Sequence, residues 1–485
     1  MSLFKPDKTN GKTFTFSKLF LSLFVHHAET TGESNQSRRE AGFCQKPIRK
    51  FAPPAGLMES RMLEELKSLK RPIRIGLTGM GAMGKGLFYQ CRITPGFDCI
   101  AIADVHIKRA VDCAEWLGRP YRVVENLDQA HDAVRKGLVA VSEDGGIPAR
   151  LEPLDAFIEA SSSILPALRF SEAAVEHGKH LILMNSEVDL VFGPLLVESA
   201  RRRGVVYTSC DGDQHCVLKR LADDVRLWGF ELVMAGNIKG FLDRAATPKS
   251  IMPEADKRHL DYRMATAYTD GSKLAVEMAL LANGIGLSVR VPGMTGPRAD
   301  RVSDVFRVFD LHTLWEDRRP FVDYILGAEP GGGVFVVGAS DNEYQRFMMS
   351  YYKMGDGPFY LFYRPYHLCH VEALSCVADA VLHGNSLLAP EQGFRAHVTA
   401  YAKRDLRKGE TLDGLGGFTC YGLIEACPEQ DMDPGLPVCL AEDLSLTRDI
   451  PMHGRIRMAD VQGVEGRSDF AAFGLALEAS RRMRA

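Results

Sequence analysis

The 485-residue chain contains no apolar run of the eighteen or more residues that a membrane-spanning helix needs. It also lacks an excess of positive charge, because 59 Lys and Arg stand against 62 Asp and Glu, a formal net charge of −3. These two absences argue against a membrane protein and against a nucleic-acid-binding protein. Since 46% of the residues are hydrophobic, the chain can build two or three domains with buried cores.

Locally spaced metal-binding motifs are missing as well. The 11 cysteines are scattered singly, without a C-x-x-C pair, and no H-E-x-x-H motif occurs. This pattern is typical of reduced thiols and favours a cytoplasmic location. Spacing gives no support for a zinc site, although ligands from distant parts of the chain can still converge.

A glycine-rich segment follows the apolar stretch that begins at Ile73. Its glycines have the spacing G-x-G-x-x-G, which permits a tight turn, a close approach of the pyrophosphate and close packing of helix on strand. A second apolar strand, Cys99–Ala103, ends on an aspartate 20 residues after the last glycine, where a ribose-binding carboxylate is expected. The predicted dinucleotide contacts are Gly79, Met80, Gly81, Ala82, Met83, Gly84 and Asp104, with Ser161 and Asn185 from later loops.

The residues after Asp104 leave the choice between NAD and NADP open. A carboxylate in this place favours NAD, because it accepts from the 2′-hydroxyl and repels a 2′-phosphate. His106, Lys108 and Arg109 follow directly, however, and could bind that phosphate. Alternatively, Lys108 and Arg109 are solvated residues on the surface of the next helix.

Strands alternate with helical stretches as far as Ser209, which predicts an α/β fold with a parallel, Rossmann-type sheet. Polar residues follow two of these strands, at Glu159 to Ser163 and at Asn185 to Glu187. Because ligands bind at the carboxyl ends of such strands, we expect these residues near a nicotinamide ring. Ordinary loop polarity is the alternative interpretation.

A further polar loop contains Asp211, Asp213 and His215 and enters a helix predicted over Val217–Leu227. Two carboxylates and an imidazole within five residues suit a metal or substrate contact. Asp-Gly-Asp is also ordinary turn chemistry, so both interpretations stay open.

A second such loop, Asp270–Ser272, precedes a helix that carries Lys273 and Glu277. Their i, i+4 spacing places these two side chains on one helix face. We expect that face to line a cleft, with a surface ion pair as the alternative.

Five segments, taken together, have the pattern of a known family. They are Gly79–Gly84, the strand end Glu159-Ala-Ser, Ala235-Gly-Asn-Ile-Lys-Gly240, Tyr363-Arg-Pro-Tyr-His-Leu368 and Ala402–Gly422. The first three segments resemble homoserine dehydrogenases, and the last two resemble the three-domain relatives of that family that end in an SAF-type β domain, among them reductoisomerase-like enzymes. The resemblance covers roughly residues 70–475.

The resemblance implies an NADPH-dependent conversion of 1-deoxy-D-xylulose 5-phosphate to 2-C-methyl-D-erythritol 4-phosphate, in isoprenoid precursor biosynthesis. It also implies a divalent cation, Mg²⁺ or Mn²⁺, and a homodimer. The chemistry needs a group that polarises the carbonyl, an acid/base and a phosphate pocket. The expected residues are Lys239, Lys273, Asp213 and Asp270 for catalysis, Arg244, Arg298, Arg364, Ser272 and Asn237 for the substrate and its phosphate, and Asp211 and Glu277 for the metal.

Lys239 is the foremost catalytic candidate, because it follows the Gly236-Asn237 turn where the catalytic domain of the family begins. A solvated lysine is the alternative. Homoserine dehydrogenase, which needs no phosphate clamp, is the second enzyme hypothesis. An NADPH-sensing regulatory protein is the hypothesis outside the enzymes.

These patterns divide the chain into four predicted parts. They are a disordered N-terminal extension at 1–57, a Rossmann domain at 58–210, a catalytic and dimerisation domain at 211–390, and an SAF-like β domain at 391–485. In the last part we expect strands over Ala396–Tyr401 and Leu436–Leu440 and a C-terminal helix over Asp469–Arg484.

Overall fold

The computed structural model describes residues 60–258, 260–428 and 433–484. The predicted N-terminal extension, residues 1–57, lies outside the described residues. The strands are β1 Ile73–Thr78, β2 Phe97–Ala103, β3 Tyr121–Val123, β4 Val139–Ser142, β5 Ala156–Glu159, β6 His180–Leu183, β7 Tyr207–Ser209, β8 Glu231–Lys239, β9 Phe321–Leu326, β10 Val334–Ala339, β11 Phe359–Arg364, β12 Ala396–Ala402, β13 Cys420–Ala426, β14 Ser445–Leu446 and β15 Val461–Gln462.

The helices alternate with the strands in the first half of the chain and are grouped in the second. They are α1 Arg61–Ser68, α2 Ala82–Ile93, α3 Ile107–Trp116, α4 Leu127–Arg135, α5 Gly146–Arg150, α6 Leu165–Glu176, α7 Ser186–Arg203, α8 Gln214–Leu227, α9 Pro248–Arg258, α10 Tyr262–Asp270, α11 Ser272–Ile285, α12 Val305–Val308, α13 Leu311–Leu314, α14 Glu343–Tyr351, α15 Cys369–Glu372, α16 Leu374–Ala378 and α17 Ser468–Arg484.

The first sheet has seven strands in the order β3-β4-β2-β1-β5-β6-β7, and every neighbouring pair is parallel. The predicted α/β fold class with a Rossmann-like sheet is therefore confirmed. Strand β1 is buried along most of its length, as its apolar sequence requires. The chain continues on one side of β1 to β2 and on the other side to β5, so the strand order reverses at this point. Open α/β sheets bind ligands in the crevice at such a reversal, beyond the carboxyl ends of the strands.

A second, mixed sheet has the order β11-β10-β8-β9. Strands β8 and β9 are parallel, while β10 pairs antiparallel with both β8 and β11. One side of this sheet packs on an apolar cluster that extends from Val302 to Trp315. Helices α8 and α11 pack against its strands and also against each other.

The C-terminal segment forms two small antiparallel ladders, β12-β13 and β14-β15. The strand predicted over Leu436–Leu440 was wrong: Val438–Leu440 forms a 3₁₀ turn, and Pro437 makes only an isolated bridge with Thr399. Proline has no N–H to donate, so a continuous ladder cannot form through this position. The C-terminal helix α17 packs against α7. In the part of the chain that the structure describes, no helix is both long and apolar enough to cross a membrane.

Candidate active site

The glycine-rich loop connects β1 to α2 at the point where the strand order reverses. Gly79 has a φ of +93°, and a Cβ there would lie 2.4 Å from the amide nitrogen of Ser161. A Cβ on Gly84 would lie 1.8 Å from the carbonyl oxygen of Gly79. Gly81 caps α2 and has no atom within 4 Å of the place where its Cβ would be. The loop is therefore closed toward the protein and open at the helix N-terminus, where Met80, Ala82 and Met83 flank the free space.

Asp104, at the end of β2, is 6% exposed and is held by the backbone. Its Oδ2 accepts from the N–H of Met80 at 2.8 Å, and its Oδ1 accepts from the N–H of His106 at 2.8 Å. Arg109 is exposed, with Nη1 4.0 Å from Oδ1 of Asp104. Lys108 instead pairs with Asp112 at 2.7 Å on the surface of α3. Of the two cations that follow β2, Arg109 is the one closer to Asp104 and more available to a ligand.

The carboxyl ends of β5 and β6 share one hydrogen-bond network. Glu159 is fully buried, and its Oε1 accepts from the N–H of Ser161 at 3.0 Å, while its Oε2 has no partner among the described residues. Burial raises the pKa of Glu159 to about 8. Asn185 caps α7 and donates Nδ2–H to the carbonyl oxygen of Ser163, whose hydroxyl contacts that of Ser161 at 2.8 Å. The two predicted cofactor contacts, Ser161 and Asn185, are thus joined through Ser163.

Lys273 and Glu277 lie in the buried first half of α11. Nζ of Lys273 is 3.1 Å from Oε1 of Glu187, in the first turn of α7, and also donates to the hydroxyl of Ser186. Burial opposes the charge of Lys273, but Glu187 and other acidic neighbours outweigh it and raise the pKa. Burial, reinforced by Asp213, raises the pKa of Glu277 to about 8. One face of α11 therefore presents a charged amine and, near neutral pH, a mostly protonated carboxyl group.

Lys239, the last residue of β8, interacts electrostatically with Glu277 from the second sheet. Lys239, Lys273 and Glu277 are called the ionisable cluster below. Nζ of Lys239 donates to the carbonyl oxygen of Tyr268 at 2.7 Å. Burial lowers the pKa of Lys239, although Glu277 and Asp270 act in the opposite direction. Two residues earlier in β8, Asn237 is 1% exposed, and its Nδ2 has no partner among the described residues. With its lowered pKa, Lys239 holds its proton less tightly than an exposed lysine does.

Asp213 is the N-cap of α8, which begins at Gln214, three residues before the predicted start. The carboxylate is 7% exposed, and its Oδ1 accepts from the thiol of Cys369 at 3.1 Å. Nδ1 of His367 is 3.7 Å from the same Sγ. Sequence reasoning missed Cys369 as a site residue and quoted His367 only within a resemblance. The H-x-C spacing of these two residues, in a loop after a strand, was the available signal.

Other acidic candidates already have basic partners. The Oδ2 of Asp211 is 2.6 Å from Nη2 of Arg220, and the Oδ2 of Asp270 is 2.8 Å from Nζ of Lys403. The hydroxyl of Ser272 accepts from the N–H of Gly422 at 2.7 Å. These contacts hold elements of the fold together. The metal role of Asp211, the catalytic role of Asp270 and the substrate-binding role of Ser272 stay predictions.

The three arginines predicted to bind the substrate phosphate differ in the partners that their guanidinium groups already have. Arg244 donates to the carbonyl oxygen of Asp270 at 2.9 Å, and its guanidinium lies over the ring of Tyr421. Arg364 makes a two-pronged ion pair with Glu372. Arg298 is exposed and has no ion-pair partner among the described residues. Arg298 is therefore the arginine most available to an anion.

His215, in the first turn of α8, is 1% exposed. Neither ring nitrogen has a hydrogen-bond partner in the described part of the chain. Burial lowers the pKa of His215 to about 4, so the ring is neutral at physiological pH. Both ring nitrogens are therefore available to a ligand, and Asp213 and Lys273 are close enough to influence the pKa of the ring.

Comparisons with known proteins point to oxidoreductases. Residues 212–373 match the family model described as "Oxidoreductase DRL, catalytic domain". This range includes Lys239, Lys273 and Glu277. The chain is 26% identical over 217 residues to a 1-deoxy-D-xylulose 5-phosphate reductoisomerase of Thermus thermophilus, which covers 44% of this chain and 56% of that protein. It is 31% identical over 137 residues to the 1-deoxy-D-xylulose 5-phosphate reductoisomerase of Heliobacterium modesticaldum. That match covers 28% of this chain and 33% of that protein.

Among solved structures, the reductoisomerase of that name from Zymomonas mobilis in complex with NADPH is similar at 15% identity. The match covers 43% of this chain and 57% of that one, with a TM-score of 0.32. The chain thus spans about half, or less, of the length of these curated relatives.

Proposed function

We propose that the chain is an NADPH-dependent reductoisomerase that converts 1-deoxy-D-xylulose 5-phosphate to 2-C-methyl-D-erythritol 4-phosphate. The single observation that carries the proposal is the buried contact between Lys273 and Glu187. Glu187 follows β6 at the carboxyl edge of the parallel sheet, where the glycine-rich loop also lies. The contact therefore joins the ionisable cluster to the edge of the parallel sheet at which a dinucleotide would present its nicotinamide.

The glycine-rich loop supports a dinucleotide as cofactor. The free space at Gly81 and the N-terminus of α2 suits a pyrophosphate, because backbone N–H groups and the helix dipole both favour an anion there. Arg109 is the group that would contact a 2′-phosphate, which favours NADPH over NADH. When bound, NADPH supplies the hydride that reduces the carbonyl.

The ionisable cluster supplies the acid and base groups that the reaction needs. The lowered pKa of Lys239 lets it take and return a hydroxyl proton of the substrate. Lys273 stays charged and stabilises negative charge that develops on the carbonyl oxygen. Glu277, protonated near neutral pH, donates a hydrogen bond to that oxygen or to a neighbouring hydroxyl. These are three different tasks for three groups of one cluster.

The substrate also requires groups that bind its phosphate and a divalent cation. Arg298 and Arg244 are the groups that would hold the phosphate, with Asn237 donating to a substrate hydroxyl. A divalent cation would supply Lewis-acid polarisation of the carbonyl. Asp211 would have to give up its ion pair with Arg220 to bind such a cation. We retain the division of residues 60–484 into Rossmann, catalytic and SAF-like parts, and the homodimer, as parts of this proposal.

NADPH oxidation by the purified full chain tests the proposal. With a divalent cation present, we expect turnover with 1-deoxy-D-xylulose 5-phosphate and none with aspartate semialdehyde. Turnover with the semialdehyde alone would make the protein a homoserine dehydrogenase. NADPH binding in a fluorescence titration without turnover of either compound would favour a sensor. The R298A variant should raise the KM for the sugar phosphate without raising the KM for NADPH.

A further inference from the structure

Three side chains that bind metals in many proteins meet next to the ionisable cluster. The ligand atoms of Asp213, His367 and Cys369 all lie within 4.8 Å of one another. Sγ of Cys369 is 3.1 Å from Oδ1 of Asp213 and 3.7 Å from Nδ1 of His367. Asp213 comes from the start of α8, His367 from the loop between β11 and α15, and Cys369 is the first residue of α15. Two distant chain segments thus bring a carboxylate, an imidazole and a thiol to one point.

The separations between these atoms suit a single metal ion. In a tetrahedral zinc site, metal–sulfur bonds of about 2.3 Å and metal–nitrogen or metal–oxygen bonds of about 2.0 Å place donor atoms about 3.5 Å apart. The two separations from Sγ of Cys369, 3.1 and 3.7 Å, lie on either side of that value, and the third pair, Asp213 with His367, lies within 4.8 Å. Binding of a metal would therefore require side-chain movements of up to about 1.5 Å.

Gln214 provides an independent observation. Its Nε2 is 3.1 Å from Nε2 of His367, while its buried Oε1 has no partner among the described residues. In this arrangement the histidine carries its proton on Nδ1 and donates it to the carbonyl oxygen of Gly212, at 3.2 Å. Rotation of the Gln214 amide by half a turn would place Oε1 on Nε2–H and would satisfy the unpaired oxygen. His367 would then have a free Nδ1 lone pair beside the thiol, which is how an outer hydrogen bond prepares a metal-binding histidine.

The cluster also lies where a metal could act on a substrate. The helix that begins at Cys369 packs against α2, the helix that follows the glycine-rich loop. Asp213 interacts electrostatically with both Glu277 and Lys273. The buried, unpartnered ring of His215 interacts with Asp213 and with His367. A ligand bound at the cluster would therefore face the cofactor loop on one side and the acid/base groups on the other.

We propose that Asp213, His367 and Cys369 form a three-ligand site for a divalent transition metal of the zinc or cobalt kind, with a fourth position open to water or substrate. A thiolate and an imidazole select such metals over Mg²⁺, which prefers oxygen ligands. As the metal–sulfur bond forms, the Cys369 S–H bond breaks and its proton passes to solvent, so binding releases one proton per thiol. Only the catalytic use of this metal rests on the proposed function, because binding itself needs no substrate.

Cobalt binding to the metal-free full chain tests the site without any enzyme assay. We expect one Co²⁺ per chain, with a sulfur-to-cobalt charge-transfer absorption in the near ultraviolet and visible bands of tetrahedral type. One equivalent of Zn²⁺ should displace it, whereas a large excess of Mg²⁺ should not. The C369S variant should lose the charge-transfer absorption. The matched control is C427S, another partly buried cysteine outside the cluster, which should retain it.

The second variant, Q214A, tests the outer hydrogen bond. It leaves all three ligands in place, so we expect the same cobalt spectrum with roughly a 10- to 100-fold weaker affinity. Absence of the charge-transfer absorption in the wild-type chain would overturn the inference, as would its retention in C369S. Because these are binding spectra, they would stand even if the sugar phosphate proved not to be the substrate. Conversely, turnover of that substrate with Mg²⁺ and no cobalt spectrum would support the proposed function and overturn only the metal site.

Discussion

Lys239 and Lys273 carry the same amine in different surroundings, and the surroundings are the basis of the different tasks that we propose for them. Lys273 is held by the carboxylate of Glu187, so its charge is retained in spite of burial. Lys239 donates a hydrogen bond to the carbonyl oxygen of Tyr268, and burial lowers its pKa. At the scale of single residues, the nearest partner decides whether an amine serves as a fixed charge or as a proton carrier.

Replacing Lys239 with methionine should remove the proton carrier and leave most of the fold intact. We expect kcat of K239M to fall by about 10²- to 10⁴-fold, the usual contribution of a general acid–base group. The KM for NADPH and the melting temperature should change little. Steady-state kinetics and thermal melting check both expectations. A kcat within a few-fold of wild type would remove Lys239 from the mechanism.

Arg109 should discriminate between the two nicotinamide cofactors. Loss of one charge-assisted contact to the 2′-phosphate costs about 1.4 kcal/mol, so R109A should bind NADPH about tenfold more weakly and NADH equally well. K108A is the matched control, because Lys108 is engaged with Asp112 and should change neither affinity. Fluorescence titrations of each variant measure its affinities for NADPH and NADH. Equal weakening of the two cofactors by R109A would contradict a phosphate contact.

Glu159 should make stability depend on pH. Burial raises its pKa from 4.5 to about 8, so the folded protein keeps a proton that the unfolded chain releases in this window. The stability that Glu159 contributes is therefore complete below pH ~4.5 and is lost as pH rises through ~8, with a slope of up to about 1.4 kcal/mol per pH unit. E159Q should remove the share of one proton from this slope and leave the share of Glu277, whose pKa is also raised to about 8, while E176Q on the exposed face of α6 should leave the slope unchanged. Denaturant unfolding between pH 5 and 9 provides the comparison, and identical slopes in E159Q and wild type would refute the assignment.

At the scale of elements, the turn between α10 and α11 attaches the C-terminal segment to the helix that carries Lys273 and Glu277. Asp270 ends α10 and pairs with Lys403, which is 4% exposed and follows β12. Ser272 begins α11 and accepts from the backbone of Gly422 in β13. The N-terminal turn of α11 contains Lys273, so these contacts fix the orientation of a helix on which the proposed chemistry depends.

The buried pair in this turn should be essential for stability. K403M would leave the Asp270 carboxylate buried without its cation, which typically costs about 3–5 kcal/mol. The double variant D270N/K403M should recover much of that loss, because the amide oxygen can still accept from the N–H of Ser272. K408M, on an exposed lysine of the same segment, is the control. Urea unfolding measures all four proteins, and a K403M variant as stable as K408M would contradict the role given to the pair.

At the scale of the whole molecule, the candidate site is assembled from the sheet edge, β8, α8, α11 and the loop after β11. Local patterns predicted the parts that are local: the glycine-rich turn, the alternating strands and helices, and the shared face of Lys273 and Glu277. Partners from distant segments, such as Glu187 for Lys273 or Lys403 for Asp270, leave no local pattern and could not be predicted. The same holds for Asp213 with His367 and Cys369, because sequence spacing reports only neighbours along the chain.

The carbon skeleton of the product tests the proposed function most directly. NADPH oxidation alone is common to all carbonyl reductases, whereas a reductoisomerase also breaks one carbon–carbon bond and forms another. We would incubate the full chain with ¹³C-labelled 1-deoxy-D-xylulose 5-phosphate, NADPH and a divalent cation, and follow the carbon–carbon couplings by NMR. We predict the branched skeleton of 2-C-methyl-D-erythritol 4-phosphate. A reduced product with the unbranched skeleton, or labelled substrate recovered unchanged, would contradict the assignment.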